Sequence, residues 1–172
     1  MSYAPFRLRI YAFLLDYLVI VVYGICVAGT ISFVFNPYIQ PLFSHSPVTA
    51  ELIGFLMMTL PVSLYFILCE QSKWQGTWGK RKLGLRVVNL EGARIGVGRS
   101  IIRTAIKFLP WEVAHFGIWR LMLPTEFSDI TIFIILNAVN AAIILYLIFP
   151  LTNKQKKNVY DWVAGTRVIT GV

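Results

Sequence analysis

Carboxylates are scarce in this sequence: eight Asp and Glu stand against sixteen Lys and Arg in 172 residues, and charges of both signs make up only 14%. A soluble domain carries about 25% charged residues, so there is too little charge here to clothe a water-facing surface around a chain that is 57% apolar. Cysteine is nearly missing as well. Cys26 lies well inside one apolar run and Cys69 near the end of another, at different depths, which excludes a disulfide framework and gives no sign of an oxidising compartment. With two histidines and no Ser/His/Asp constellation, cysteine–histidine pair or zinc-ligand spacing, the chain is expected not to be an enzyme and to need no cofactor or metal.

What the chain does have is long apolar runs. A membrane span needs about 20 mainly apolar residues, and three segments meet that standard: about 10–35, 52–69 and 130–151. A fourth, about 101–123, is apolar overall but includes Arg103, Lys107, Glu112, His115 and Arg120. Topology decides in its favour. With three spans, the N-terminal arginines and the tail Lys154, Lys156, Lys157 and Arg167 would face opposite sides; with four, every Lys and Arg except Arg120 falls at the inner side or in the inner end of a span. The expectation is an all-α membrane protein of four transmembrane helices, multi-pass in a bacterial-type plasma membrane, with both termini cytoplasmic. Its net charge of +8 is then the inner-loop excess of a membrane protein, and no nucleic-acid partner is expected. Arg7 and Arg9 before the first run imitate a signal peptide, but the run is too long and includes Asp16, so it is a retained span.

The connection FNPYIQPLFSHSPVT has three prolines and no Lys or Arg, as an outer loop should, with His45 an ordinary loop residue. Pro61 and Pro110 lie inside the second and third spans, where each removes a backbone bond and is expected to kink its helix. On the inner side, KLGLRVVNLEGARIGV alternates around Glu91 and Gly92 and predicts a β-hairpin over about 83–98. GTRVI at Gly165 to Ile169 echoes GLRVV at Gly84 to Val88, so a terminal strand over 165–170 is expected to join it.

Asp16 is the residue that most needs explaining. At the centre of a span an Asp costs about 2.5–3.5 kcal/mol on insertion scales, so it must face the bundle interior and find a cation, a donor or a proton. Arg9 precedes it by seven residues, on nearly the same helix face and about 10 Å away along the axis. Glu112 and His115, spaced i and i+3, are candidates for a proton relay, and Asn137 and Asn140, at the same spacing, for hydrogen bonds between helices. Arg99, Arg103 and Lys107 form a basic stripe expected to snorkel toward anionic lipid at the cytoplasmic face. GTWGK lacks the first glycine and the Ser/Thr of a phosphate loop, so nucleotide binding is not indicated.

Taken together, R-x-x-A-x-x-x-D at Arg9, Ala12 and Asp16, then GTWGKRKLGLRVVNLEG, then Arg103 in SIIRTAIKFLP, and YDWVAGTRVI with Asp161 resemble the RDD family of small integral membrane proteins. The resemblance runs from the first helix to the last strand and makes 1–172 a single domain of that type. It implies that the arginine and two aspartates naming the family are Arg9, Asp16 and Asp161, with Arg103 beside them. It further implies Ala12, Gly76, Thr77, Gly79, Lys80, Gly84, Gly165 and Thr166 as the supporting motif. Trp78, where a Pro or smaller apolar residue is expected, and Trp162, where a basic one often stands, depart from the pattern.

The resemblance implies a membrane protein for which transport, including ion or proton exchange, has been proposed. An Arg9, Asp16 and Asp161 cluster near the cytoplasmic boundary is therefore expected, serving a small transporter or transport accessory for protons, monovalent cations or a small solute. Four helices make a thin wall, so a homo-oligomer or a larger membrane partner is expected too. The alternative is a non-transporting adaptor or assembly factor that binds another membrane protein or anionic lipid.

Overall fold

The computed structural model describes residues 2–171. Three of its helices are long and apolar enough to cross a membrane: Phe6–Val34, Pro47–Gln71 and Asp129–Thr152. The first is α1 (Phe6–Tyr23), a π-helical stretch Gly24–Gly29 and α2 (Thr30–Val34); α3 (Asn36–His45) follows. The second joins α4 (Pro47–Gly54), a π-helical stretch Phe55–Thr59 and α5 (Leu60–Gln71). Then come α6 (Trp78–Lys82), β1 (Leu85–Asn89), α7 (Val97–Met122), α8 (Asp129–Thr152), α9 (Val159–Val163) and β2 (Thr166–Thr170). The expected loop between the first two spans is thus helical, with Pro37 in the first turn of α3 and Pro47 in that of α4, where the missing N–H leaves no intrahelical bond unmade.

α7 lies antiparallel to the Pro47–Gln71 helix along its length. Arg103 Nε meets Glu70 at one end, 2.8 Å apart, and Arg120 Nη1 meets Glu51 at the other, 2.9 Å apart. Arg103 to Arg120 is about 25 Å of helix at roughly 1.5 Å per residue. The charges that weaken α7 as a hydropathy signal are therefore matched inside the bundle, and the acids that match them, Glu51 and Glu70, lie just outside the apolar window 52–69.

Prolines inside helices leave carbonyls unserved, and those before Pro61, Pro110 and Pro150 each find a donor from another element. Pro61 has no N–H for the carbonyl four residues back, Met57, and the Tyr23 hydroxyl of α1 donates to it at 2.8 Å. For Pro110 the carbonyl is that of Ile106, and the Tyr146 hydroxyl of α8 donates to it at 2.6 Å. For Pro150 it is that of Tyr146, served by Asn158 Nδ2 at 2.8 Å. These bonds link α1 to the second span, α7 to α8, and α8 to the turn before α9.

The sheet differs from the expected hairpin. β1 pairs antiparallel with β2, Leu85 opposite Thr170 and Asn89 opposite Thr166. The chain does turn at Gly92, whose φ of 87° needs a glycine, but its return strand shrinks to a single bridge between Val88 and Arg94. Ile95 drops into the core and α7 begins at Val97, so no residues remain to extend the hairpin. The free edge of β2 is covered instead by the N-terminal segment: Tyr3 bridges Ile169, and the Ala4 N–H donates to the Val168 carbonyl. Ala4, Ala12, Leu85, Val87, Ile95 and Val168 form the apolar core between sheet and bundle. The sequence echo has a structural counterpart. Gly84 (φ 65°) and Gly165 (φ 61°) each end a five-residue helix, α6 or α9, in the left-handed conformation and turn the chain into β1 or β2.

Tyr23→Phe and Tyr146→Phe each strand a buried carbonyl without removing packing volume. Each is expected to lower unfolding stability by about 1 kcal/mol in reversible SDS titration of the purified protein. An unchanged midpoint in both variants would show that the proline carbonyls do not rely on these hydroxyls.

Candidate functional site

The first helix turn, the end of α5, the start of α7 and the α9–β2 unit converge at one end of the bundle, and their charged side chains meet there. Arg9 donates through Nη2 to Asp161 and through Nη1 to the Lys156 carbonyl. Asp161 sits in the first turn of α9, where its Oδ2 accepts from the Asn158 N–H at 2.8 Å, one half of a capping box. Its Oδ1 accepts from Arg103 Nη1, which also reaches Thr166 Oγ1 at 2.8 Å. Burial pushes the Asp161 carboxyl up, but the Arg103 and Arg9 guanidiniums outweigh it and hold the group well below the usual carboxylate range.

Arg103 is 1% exposed and needs a second anion. Glu70 provides it: Oε2 faces Arg103 Nε, while Oε1 faces Lys80 Nζ at 3.1 Å and Lys107 Nζ at 3.7 Å. Lys80 continues the chain of charges, donating to Thr77 Oγ1 at 3.2 Å and standing 3.8 Å from Asp16. Asp16 itself accepts from the Gly79 N–H at 2.8 Å, the Tyr65 hydroxyl at 3.0 Å and the Thr77 hydroxyl. The approach depends on Gly79, since a Cβ there would lie 2.3 Å from the Ala12 carbonyl and 3.0 Å from Asp16 Cγ. Gly76 is similarly tight, its would-be Cβ 3.1 Å from the Leu85 carbonyl.

The expected three-residue cluster is therefore an extended line: Arg9, Asp161, Arg103, Glu70, Lys80, Asp16, alternating in sign. Arg9 and Asp161 touch, and Asp16 joins only through Lys80 and Glu70. Two threonines occupy matching positions, Thr166 between Arg103 and Asp161 and Thr77 between Lys80 and Asp16. Glu70 and the paired role of Lys107 were not expected from the sequence. The signal for Glu70 was an acid one residue past an apolar run, at the level where Arg103 enters the third helix.

Other expectations are corrected. Arg103 and Lys107 do not snorkel to lipid, because Glu70 and Asp161 draw them inward; only Arg99 stays out, 4.0 Å from Glu91. Asn137 does not reach a neighbouring helix; its amide bonds back to the Phe133 carbonyl at 2.8 Å, and both Asn137 and Asn140 lie exposed on α8. Glu112 and His115 do pair, 3.6 Å apart, and Glu112 accepts from the Thr59 hydroxyl at 2.5 Å. They form a separate polar group further along α7, beyond Lys107. Chemically, Asp161 and Glu70 are each bonded to a guanidinium, and Asp16 is the carboxylate of the line whose hydrogen-bond donors are neutral and which can hold a cation without stranding an arginine.

Asp161→Asn leaves Arg9 without its carboxylate and Arg103 with Glu70 alone, and is expected to cost about 3–5 kcal/mol in SDS-titration unfolding at neutral pH. Because the folded carboxyl lies below its unfolded value, its contribution is complete above about pH 4 and is lost as pH falls through the folded value. Wild type should therefore lose stability steeply in acid. A variant curve parallel to that of wild type across the acid range would refute this assignment.

The RDD family model matches residues 3–165. The chain is 33% identical over 125 residues, 66% of its length, to "Uncharacterized protein YxaI" of Bacillus subtilis (strain 168), covering 82% of that protein. No solved structure matches. The chain belongs to the RDD family, whose proteins are membrane proteins.

Proposed function

We propose that this RDD family protein is a small four-span transporter, or the accessory of one, that moves protons, monovalent cations or a small solute with Asp16 as the coupling group. The observation that favours this is the company Asp16 keeps. Its hydrogen-bond donors are all neutral, the Gly79 N–H and the Tyr65 and Thr77 hydroxyls, whereas Asp161 and Glu70 each bond a guanidinium. A carboxylate held this way can release or take up a cation without leaving an arginine stranded. Further polar groups lie deeper along the helices: Tyr23 on the Met57 carbonyl, then Thr59, Glu112 and His115.

In this proposal α7 crosses the membrane beside the Pro47–Gln71 helix, and the positive residues put both termini on the cytoplasmic side of a bacterial-type inner membrane. No enzymatic step, cofactor or metal is part of it. The protein acts as a homo-oligomer or with a larger membrane partner, which would cover the exposed Asn137 and Asn140 amides within the bilayer.

A second reading, an adaptor that transports nothing, is favoured by the surface beside α6. There Arg81 lies over the Trp74 ring, 4.3 Å from its centre, Lys82 lies over Trp78, and Lys73 and Arg86 line the same open depression. Exposed tryptophans among cations suit anionic lipid at the cytoplasmic interface.

Proteoliposome flux of protons and monovalent cations separates the two. Asp16→Asn keeps an acceptor for Gly79 and Tyr65, and Thr77 can turn its hydroxyl, so the variant is expected to fold while flux falls by about a hundredfold or more. Wild type that conducts nothing across the ion panel, with Asp16→Asn merely less stable, would favour the adaptor.

A further inference from the structure

The buried line contains more positive than negative charge. Arg9, Arg103, Lys80 and Lys107 face Asp161, Glu70 and Asp16, and the carboxylates are all but fully buried. A surplus charge in a medium of low dielectric is expensive, and Arg9, Lys80 and Lys107 keep only 11%, 11% and 17% of their side chains exposed, so a cation that gives up its proton relieves that cost. Arginine does not deprotonate in proteins, which leaves the two lysines.

They are not equally held. Lys80 donates to Thr77, approaches Glu70 to 3.1 Å and has Asp16 beside it. Lys107 has no hydrogen bond among the described residues; its Nζ stands 3.7 Å from a Glu70 oxygen that Lys80 approaches more closely. The rest of its surroundings are aromatic: the Phe66 ring of α5, centred 3.9 Å away, and the Tyr160 ring of α9, centred 5.3 Å away. Of the cations in this line, Lys107 lies furthest along α7 from the converging ends, about 6 Å beyond Arg103 along the axis and on the way to Glu112 and His115.

We propose that Lys107 is the proton-exchanging group of this site: its amine is neutral in the arrangement described here, making the line electrically balanced, and it takes up a proton when Asp16 or Glu70 gives up a partner. The groups that face it from the packed elements are consistent with this. α5 presents Glu70, α6 Lys80, α7 itself Arg103, and α9 Tyr160 and Asp161; α8 presents the Tyr146 hydroxyl, already donating to Ile106; α1 presents Arg9 and Asp16 further along the line. Among the described residues, the carboxylate in reach of Lys107 is that of Glu70, which is shared with Arg103 and Lys80.

The coupling role rests on the transport reading, but the protonation state can be tested without it. Wild type, Lys107→Met and Lys107→Arg are unfolded reversibly by SDS titration in mixed micelles from mildly acid to mildly alkaline pH. An amine neutral when folded and protonated when unfolded takes up about one proton on unfolding, so wild-type stability should rise with pH. Lys107→Met should fold and lose that slope, while Lys107→Arg, which cannot shed its charge, should fall behind wild type as pH rises. Parallel slopes for wild type and Lys107→Met, or failure of Lys107→Met to fold at any pH, would overturn the proposal by showing that the amine is a permanent cation. Flux in proteoliposomes then distinguishes the two ideas. Wild-type flux whose pH dependence persists in Lys107→Met refutes Lys107 as the exchanger and leaves transport standing. Absent wild-type flux with the slope difference present refutes transport and leaves the neutral amine standing.

Discussion

Arg103 cannot lose its proton and is almost completely removed from solvent, so the chain must bring carboxylates to it from elsewhere. Two arrive: Glu70 from the end of the second long helix, and Asp161 from the short helix after the last one. That requirement fixes much of this end of the bundle. Asp161 can reach Arg103 only if the tail folds back under α7, and in doing so it lays β2 between β1 and the N-terminal segment and meets Arg9. Ion pairs of this kind are weak contributors to stability compared with apolar replacements. Their effect here is to specify the return path of the tail, because any other path leaves a buried guanidinium half-paired.

Hydrogen bonds between elements also tie the apolar part together. Pro61, Pro110 and Pro150 expose carbonyls inside helices, and two tyrosine hydroxyls and one asparagine amide from neighbouring elements serve them. The prolines thereby become places where helices are joined by a hydrogen bond, and Tyr146 takes part twice, donating from its hydroxyl and accepting at its carbonyl.

Much of this was legible in the sequence, and the gaps have physical causes. The three apolar spans follow from composition, and Asp16 with Arg9 from the cost of an isolated charge in such a span, whereas Asp161 came only from the family resemblance. The echo of GLRVV in GTRVI correctly paired the two strands, since a left-handed glycine before a β-branched run reads the same way twice. Glu70 was hidden because a hydropathy window ends where charge begins, so an acid at a helix end looks like loop. Arg103 and Lys107 looked like lipid anchors because spacing on one helix does not show what faces it. The hairpin failed for want of length: with Ile95 in the core and α7 starting at Val97, one bridge was all that remained. The N-terminal segment that covers β2 has too few residues to show any period.

The alternation of sign along the line divides its members into two kinds. Arg9, Asp161 and Arg103 are each committed to partners that cannot change charge without stranding another buried ion, so they form the fixed part of the site. Asp16 and Lys107 lie away from these guanidinium-locked pairs, and their neighbours are hydroxyls, a backbone amide, aromatic rings or a shared carboxylate. Lys80 and Glu70 connect them. A change of charge at Asp16 is therefore felt at Lys107 through two intervening side chains, without disturbing the pair that holds the tail in place. Under the proposed exchange role, that separation lets charge change at Asp16 and Lys107 while the tail stays held by the Asp161 pairs, the β1–β2 pairing and Val168 in the apolar core.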